Sequence, residues 1–146
     1  GVSGHSVADL FAGSGALAIE ALSRGATHAV LVDRSPAAVA AIRANLAATG
    51  LATRAEVVRD DVARWAERAV PVGLVLCDPP YAFTGWGPLL AAFWPLCELA
   101  VFESSQAIDP GQRWRVLREK RYGGTVVTVA RPRQPSVTET NWKGDT

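Results

Sequence analysis

The sequence has no methionine, two cysteines, two histidines and a formal net charge of only +1 over 146 residues. Cys77 and Cys97 fall at no metal-ligand spacing and make no disulfide framework, which suits a reducing, cytoplasmic compartment. Neither His5 nor His28 sits at a catalytic or metal-binding spacing, so no metal is expected. A charge so near zero carries no bulk signature of nucleic-acid binding. No apolar run approaches the ~20 residues that a membrane-spanning helix needs, and there is no secretory signal pattern. The expectation is a monomer with no membrane partner. Lysine is scarce as well, with thirteen arginines against two lysines. Arginine suits bidentate phosphate contacts better than lysine does, although base-composition bias in the gene is the plainer and preferred explanation of the imbalance.

What is present is a hydrophobic fraction of 49%, enough for one domain with a substantial core. Short apolar runs alternate with helical patterns. "SVADLF" reads as a first strand and "ALAIEALSR" as a helix with Leu17, Ala18, Ala21 and Leu22 on one face, stopped by Gly25. "HAVLVD" is a second strand, and Ser35 followed by Pro36 opens an alanine-rich helix that runs to Thr49 and Gly50. "AEVVRDD" is a third strand, "VARWAERA" a helix and "VGLVLCD" a fourth strand. A helix from Pro88 to Trp94 precedes a fifth strand, "ELAVFES". Continuous apolar strands separated by helices predict an α/β fold, a mainly parallel sheet covered by helices on both faces. The end differs. "WRVLREKRY" and "TVVTVARP" flank Gly123-Gly124 and predict an antiparallel hairpin, for seven strands in all. Residues 132–146 read as a polar tail behind a single domain spanning residues 1–131.

Three signals carry chemistry. Gly13 and Gly15 lie between the first strand and first helix, where backbone can approach a ligand and helix N–H groups point at it. Taken alone this fits a dinucleotide fingerprint as well as an adenosyl site. Asp33 ends the second strand, where a carboxylate accepts hydrogen bonds from a ribose diol or caps the helix at Ser35. Asp61 ends the third, where it reaches an adenine amino group or caps the next helix, and the two roles are compatible. Asp60 reads as solvated or capping.

The fourth strand ends in "DPPY". Proline fixes its own φ and restricts the residue before it, so Asp78 to Tyr81 is a stiff bracket. A nicotinamide-binding module has no use for it. Methyl transfer to an exocyclic amino group does, because that nitrogen's lone pair is delocalised into the base. The Asp78 carboxylate and Pro79 carbonyl, accepting its N–H bonds, localise the lone pair, and Tyr81 stacks on a base swung out of its helix or loop. Trp65, Trp94 and Trp114 read as core, Trp86 as a candidate wall of the base pocket, and Arg113, Arg115, Arg118, Lys120 and Arg121 as candidate phosphate contacts.

From Val7 to Arg131, "DLFAGSGALAIEALSRGA", "DPPY" and the closing "WRVLREKRYGG" hairpin resemble the RsmD-type family. Its members are bacterial small-subunit rRNA guanine-N2 methyltransferases with the Rossmann-like class I fold. The resemblance implies S-adenosyl-L-methionine as cofactor, held by Asp9, Phe11, Ala12, Gly13, Ser14, Gly15, Asp33, Arg34, Asp61 and Val62. It places Asp78, Pro79, Pro80 and Tyr81 at the reaction centre and implies 16S rRNA or the small ribosomal subunit as partner. The bracket is shared with DNA adenine-N6 and protein glutamine methyltransferases, which usually have Asn where this chain has Asp78. The family also carries an Arg-Pro-Thr segment before the first strand. A chain that opens "GVSGHS" is expected to lack that segment and with it part of its RNA recognition.

Overall fold

Five apolar runs lie parallel, as expected: β1 (Ser6–Leu10), β2 (His28–Asp33), β3 (Ala55–Arg59), β4 (Val72–Cys77) and β5 (Cys97–Ser104). The structure is a computed structural model that describes residues 5–134. β6 (Trp114–Tyr122) and β7 (Thr125–Pro132) form the expected antiparallel hairpin, with Tyr122 paired to Thr125 across Gly123-Gly124. Gly123 takes φ 59°, a left-handed conformation that glycine adopts without steric cost. The lateral order is β3-β2-β1-β4-β5-β7-β6. It is therefore β7, the later strand of the hairpin, that docks antiparallel on β5, leaving β6 as the edge.

Helices α1 (Ala16–Ser23) and α2 (Pro36–Thr49) cover one face, packing Ala18, Leu22, Ile42 and Leu46 against Val7, Ala29 and Leu31. Helices α3 (Val62–Ala66) and α4 (Trp86–Phe93) cover the other, with Trp65, Leu89, Leu90 and Phe93 against Ala8, Val30, Val75 and Phe102. Helix α2 has the ends its sequence promises. Ser35 Oγ accepts from the Ala38 N–H at 3.2 Å, Pro36 fills the first turn, and Gly50 at φ 73° closes the helix. The fold is the seven-stranded, Rossmann-like class I methyltransferase fold, with helices on both faces.

Several boundaries differ from the sequence reading. β1 stops at Leu10 because Phe11 turns out of the strand at φ 58°. α3 has five residues and not eight: the Glu67 and Arg68 N–H groups bond back three residues, and Arg68 is drawn to Asp60 at 2.7 Å. α4 opens at Trp86 and not at Pro88, since a proline anywhere in the first turn forfeits no intrahelical hydrogen bond. Pro132 completes β7, and the Arg133 N–H donates to the Arg113 carbonyl at 2.7 Å, so the sheet runs into the stretch read as tail. The rest of that stretch, residues 135–146, lies outside the described residues. Trp65 and Trp114 are buried, and Trp94 is half-buried with the Arg113 guanidinium 5.0 Å from its ring centre.

Thr128 of β7 is fully buried opposite Phe102, and its hydroxyl has no hydrogen-bond partner among the described residues. A buried hydroxyl left unpaired costs ~1–3 kcal/mol. Thr128→Val is expected to stabilise the protein by about 1 kcal/mol, read from a urea or thermal transition. A lower midpoint would show that the hydroxyl is paired in solution.

Candidate active site

Strand β1 has β2 on one side and β4 on the other, and α1 and α4 leave these strands toward opposite faces of the sheet. Neither connection covers the carboxyl ends of β1 and β4, and a crevice remains there, as in other open parallel sheets. A cavity of about 720 Å³ occupies it, lined among others by Phe11, Asp33, Arg34, Asp61, Val62 and Asp78. That volume is in the range of small-molecule sites.

The loop from β1 to α1 forms the floor. Gly15 at φ 82° donates its N–H to the Ala12 carbonyl at 2.8 Å. A Cβ at Gly15 would stand 3.1 Å from Leu31 Cδ2, so side chain and backbone conformation both demand glycine there. Asp33 ties this loop to β2: Gly13 N–H donates to Oδ2 at 3.0 Å and Ser35 N–H to Oδ1 at 2.9 Å. A carboxylate has about four acceptor sites, so Asp33 caps the turn and still has capacity for a diol. Asn45 of α2 adds a brace, its Nδ2 donating to the Ser14 carbonyl at 2.8 Å. Asp61 caps α3, its Oδ1 accepting from the Ala63 and Arg64 N–H groups, and also lines the cavity.

Ala12, Gly13, Ser14 and Gly15 belong to the loop but do not line the cavity. Asp9 is further removed. It is 1% exposed, and its Oδ2 accepts the Ala18 N–H at 3.1 Å, an N–H that α1 leaves without an intrahelical partner. The structure therefore places Asp9 behind the loop, anchoring α1, and outside the lining of the cavity.

The bracket is as stiff as its prolines require. After Pro79 and Pro80 the Phe83 N–H closes a turn on the Pro80 carbonyl at 2.9 Å, and Ser105 Oγ donates to the Tyr81 carbonyl at 3.3 Å. Pro79 is buried, Asp78 exposed, and Tyr81 81% exposed. On the far side of the bracket lies a second cavity of about 410 Å³, lined by Tyr81, Trp86, Glu103, Ser105 and Thr125 with Asp78, Pro79 and Pro80 again. Trp86, edge-to-face with Phe83 at 5.2 Å and with Phe102 at 5.8 Å, is a wall of it.

Residues 2–131 match the family described as conserved hypothetical protein 95, the RsmD family. The chain belongs to that family. It is 42% identical over 74 residues to ribosomal RNA small subunit methyltransferase D of Escherichia coli strain K12, covering 50% of this chain and 37% of that protein. It is 39% identical over 108 residues to release factor glutamine methyltransferase of Cereibacter sphaeroides, covering 72% of this chain and 36% of that protein. The chain thus spans little more than a third of the length of these two relatives. A solved conserved hypothetical protein of Streptococcus pyogenes superposes with a TM-score of 0.79 at 35% identity, over 88% of this chain and 86% of that one.

Within this RsmD-family chain, sequence reasoning missed Glu103, Phe83, Asn45 and the pairing of Asp60. Asp60 lines the first cavity and binds Arg68 at 2.7 Å, which holds its carboxyl below the usual range. Glu103, the penultimate residue of β5, follows the Cys77–Phe102 pair and so lies beside Asp78. Burial, then the Asp78 charge and a hydrogen bond with it, push the Glu103 carboxyl up. The rule that ligands gather at the carboxyl ends of parallel strands would have singled it out.

Burial raises the Asp9 carboxyl to about 7, partly offset by the Ala18 bond and reinforced by Asp78 and Asp33. Between about pH 4 and 7 the folded chain holds a proton on Asp9 that the unfolded chain releases, so stability falls as pH rises through that window. The loss is on the order of 4 kcal/mol. Asp9→Asn keeps the acceptor and removes the ionisation. Its stability relative to wild type is expected to improve steadily from pH 4 to 7 in thermal melts; a margin independent of pH would show Asp9 ionised throughout.

Proposed function

We propose that the chain is the catalytic domain of a cytoplasmic enzyme that transfers a methyl group from S-adenosylmethionine to the exocyclic N2 amino group of a guanine in small-subunit rRNA. One observation carries the reading: Asp78, Pro79, Pro80 and Phe83 form a wall common to two cavities, so two reactants can meet across it. The donor sets fit. Asp33 offers spare acceptors to a ribose diol, Asp61 an acceptor for an adenine amino group, and Phe11 and Leu89 apolar walls.

S-adenosylmethionine supplies an electrophilic methyl group on a sulfonium. The chain's task is to position the acceptor nitrogen and free its lone pair. Tyr81 and Trp86 hold the base plane, while Asp78 and the Pro79 carbonyl accept the two N–H bonds. Asp78 would take one of those protons once the nitrogen is methylated. Positioning of this kind supplies much of the rate.

RNA as the carrier of the base is supported by β6 and β7. Arg115 stands opposite Arg131, Arg118 opposite Val129 and Lys120 opposite Val127, so four exposed cations share one face of the sheet, and none has an ion-pair partner among the described residues. Like charges directly opposite are destabilising unless an anion joins them. Val127 is in turn opposite Glu103, which puts this face next to the second cavity. Arg118→Ala with Lys120→Ala is expected to weaken rRNA binding and lower its salt slope by ~1.4–2 units. An unchanged slope would place the phosphates elsewhere.

The decisive experiment is methyl transfer from labelled cofactor to unmodified small-subunit rRNA or subunits, followed by nucleoside analysis; N2-methylguanosine is expected. Asp78→Ala should lower the rate by about two orders of magnitude or more with cofactor affinity nearly intact. Label appearing on adenine, or on glutamine of a release factor, would replace this reading with one of its two relatives in chemistry.

A further inference from the structure

Two carboxylates face the second cavity where one suffices to accept from an amino group. The last registered pair between β4 and β5 is Cys77 with Phe102, so the next residues along, Asp78 and Glu103, emerge side by side at the strand ends. Both line the cavity with Tyr81, Trp86 and Thr125. Glu103 is half-buried, accepts no cation, and has only Asp78 as its partner among the described residues.

A second acceptor beside the first distinguishes bases by the atom that neighbours the amino group. Guanine places the N1–H donor next to N2. Adenine places the N1 lone pair next to N6, and cytosine the N3 lone pair next to N4. A carboxylate at that position attracts the guanine edge and repels the other two. Desolvation inside the cavity makes the mismatch costly, because a buried acceptor left facing a lone pair loses its hydrogen bond to water with no return.

We propose that Glu103 is a specificity-determining residue of this site, its carboxylate accepting the N1–H of the target guanine while Asp78 and the Pro79 carbonyl hold N2. This rests on the guanine-N2 reading above and deepens it. Before the base arrives, Asp78 and Glu103 share a hydrogen bond. That bond holds one proton between the two carboxyls, and the proton passes to solvent as the N1–H and N2–H donors replace it, so both carboxylates accept when the base is bound. Ser105, whose Oγ holds the Tyr81 carbonyl, fixes the segment after Glu103 to the same bracket.

The test uses 2-aminopurine, which retains the 2-amino group but presents a lone pair at N1. An rRNA oligonucleotide would carry guanine or 2-aminopurine at the position that the wild-type protein methylates, and kcat/KM would be measured on each. Because 2-aminopurine also lacks O6, only the change in the ratio between wild type and variant is diagnostic. Wild type is expected to prefer guanine by about tenfold to a hundredfold, the scale of one hydrogen bond to a charged group. Glu103→Ala should bring the two substrates within roughly threefold. Glu103→Gln, which keeps the volume and can turn either its oxygen or its amino group to N1, should do the same and keeps the test standing if the alanine variant does not fold. S-adenosylhomocysteine affinity should be unchanged in both, since Glu103 does not line the first cavity. A purely structural role would lower both rates together and leave the ratio intact. An unchanged ratio overturns the assignment of Glu103 while methylation of guanine still stands; wild-type methylation of adenine or of protein alone overturns both.

Discussion

The chain leaves β1 for one face of the sheet and β4 for the other, and everything functional in the structure depends on that divergence. Two adjacent parallel strands with their connections on opposite sides cannot have their carboxyl ends covered by either. The glycine loop, the Asp33 turn and the proline bracket all stand on this uncovered rim. Each is rigid for its own local reason: positive φ at Gly13 and Gly15, two amides on one carboxylate, and two consecutive prolines with a closed turn behind them. These three elements are preorganised by short-range constraints, while Ser105, on the connection between β5 and β6, ties that longer segment to the bracket.

All five parallel strands bring a carboxylate to that rim: Asp9, Asp33, the Asp60–Asp61 pair, Asp78 and Glu103. Such a concentration of like charge is costly unless each member is managed, and the structure manages each differently. Asp9 is buried against an amide and pushed toward neutrality, Asp33 is held by two amides, Asp61 by a helix end, Asp60 by an arginine, and Glu103 by Asp78. A sulfonium, a cation without hydrogen-bond donors, complements a rim whose acceptors are already spoken for in part.

The sheet is asymmetric beyond β4. The core under α1 and α2 reaches Leu74 and Leu76 of β4 and extends no further along that face, where β5, β7 and β6 present half-buried valines bordered by exposed cations. Inserting β7 between β5 and β6 puts these cations on the flank of the second cavity. The first cavity is bordered by acids and the flank of the second by three arginines and a lysine, so the two sides of the bracket carry opposite charge.

The elements whose signals are local were legible in the residues: five apolar strands, a helix opened by Ser35-Pro36 and closed by Gly50, a hairpin on Gly123-Gly124, and a stiff Asp78–Tyr81 bracket. Caps, glycine conformations and proline geometry act over a few residues, so their outcome is written in a few residues. Motif spacing also marked Asp33, Asp61 and the bracket as one constellation, since the ends of parallel strands must converge. What the residues alone left open was lateral order and facing. That β7 and not β6 docks on β5, and that Glu103 meets Asp78, depend on pairing between strands more than 20 residues apart. Register decides such contacts: a shift of one residue moves a side chain to the other face, and only the packed sheet sets it.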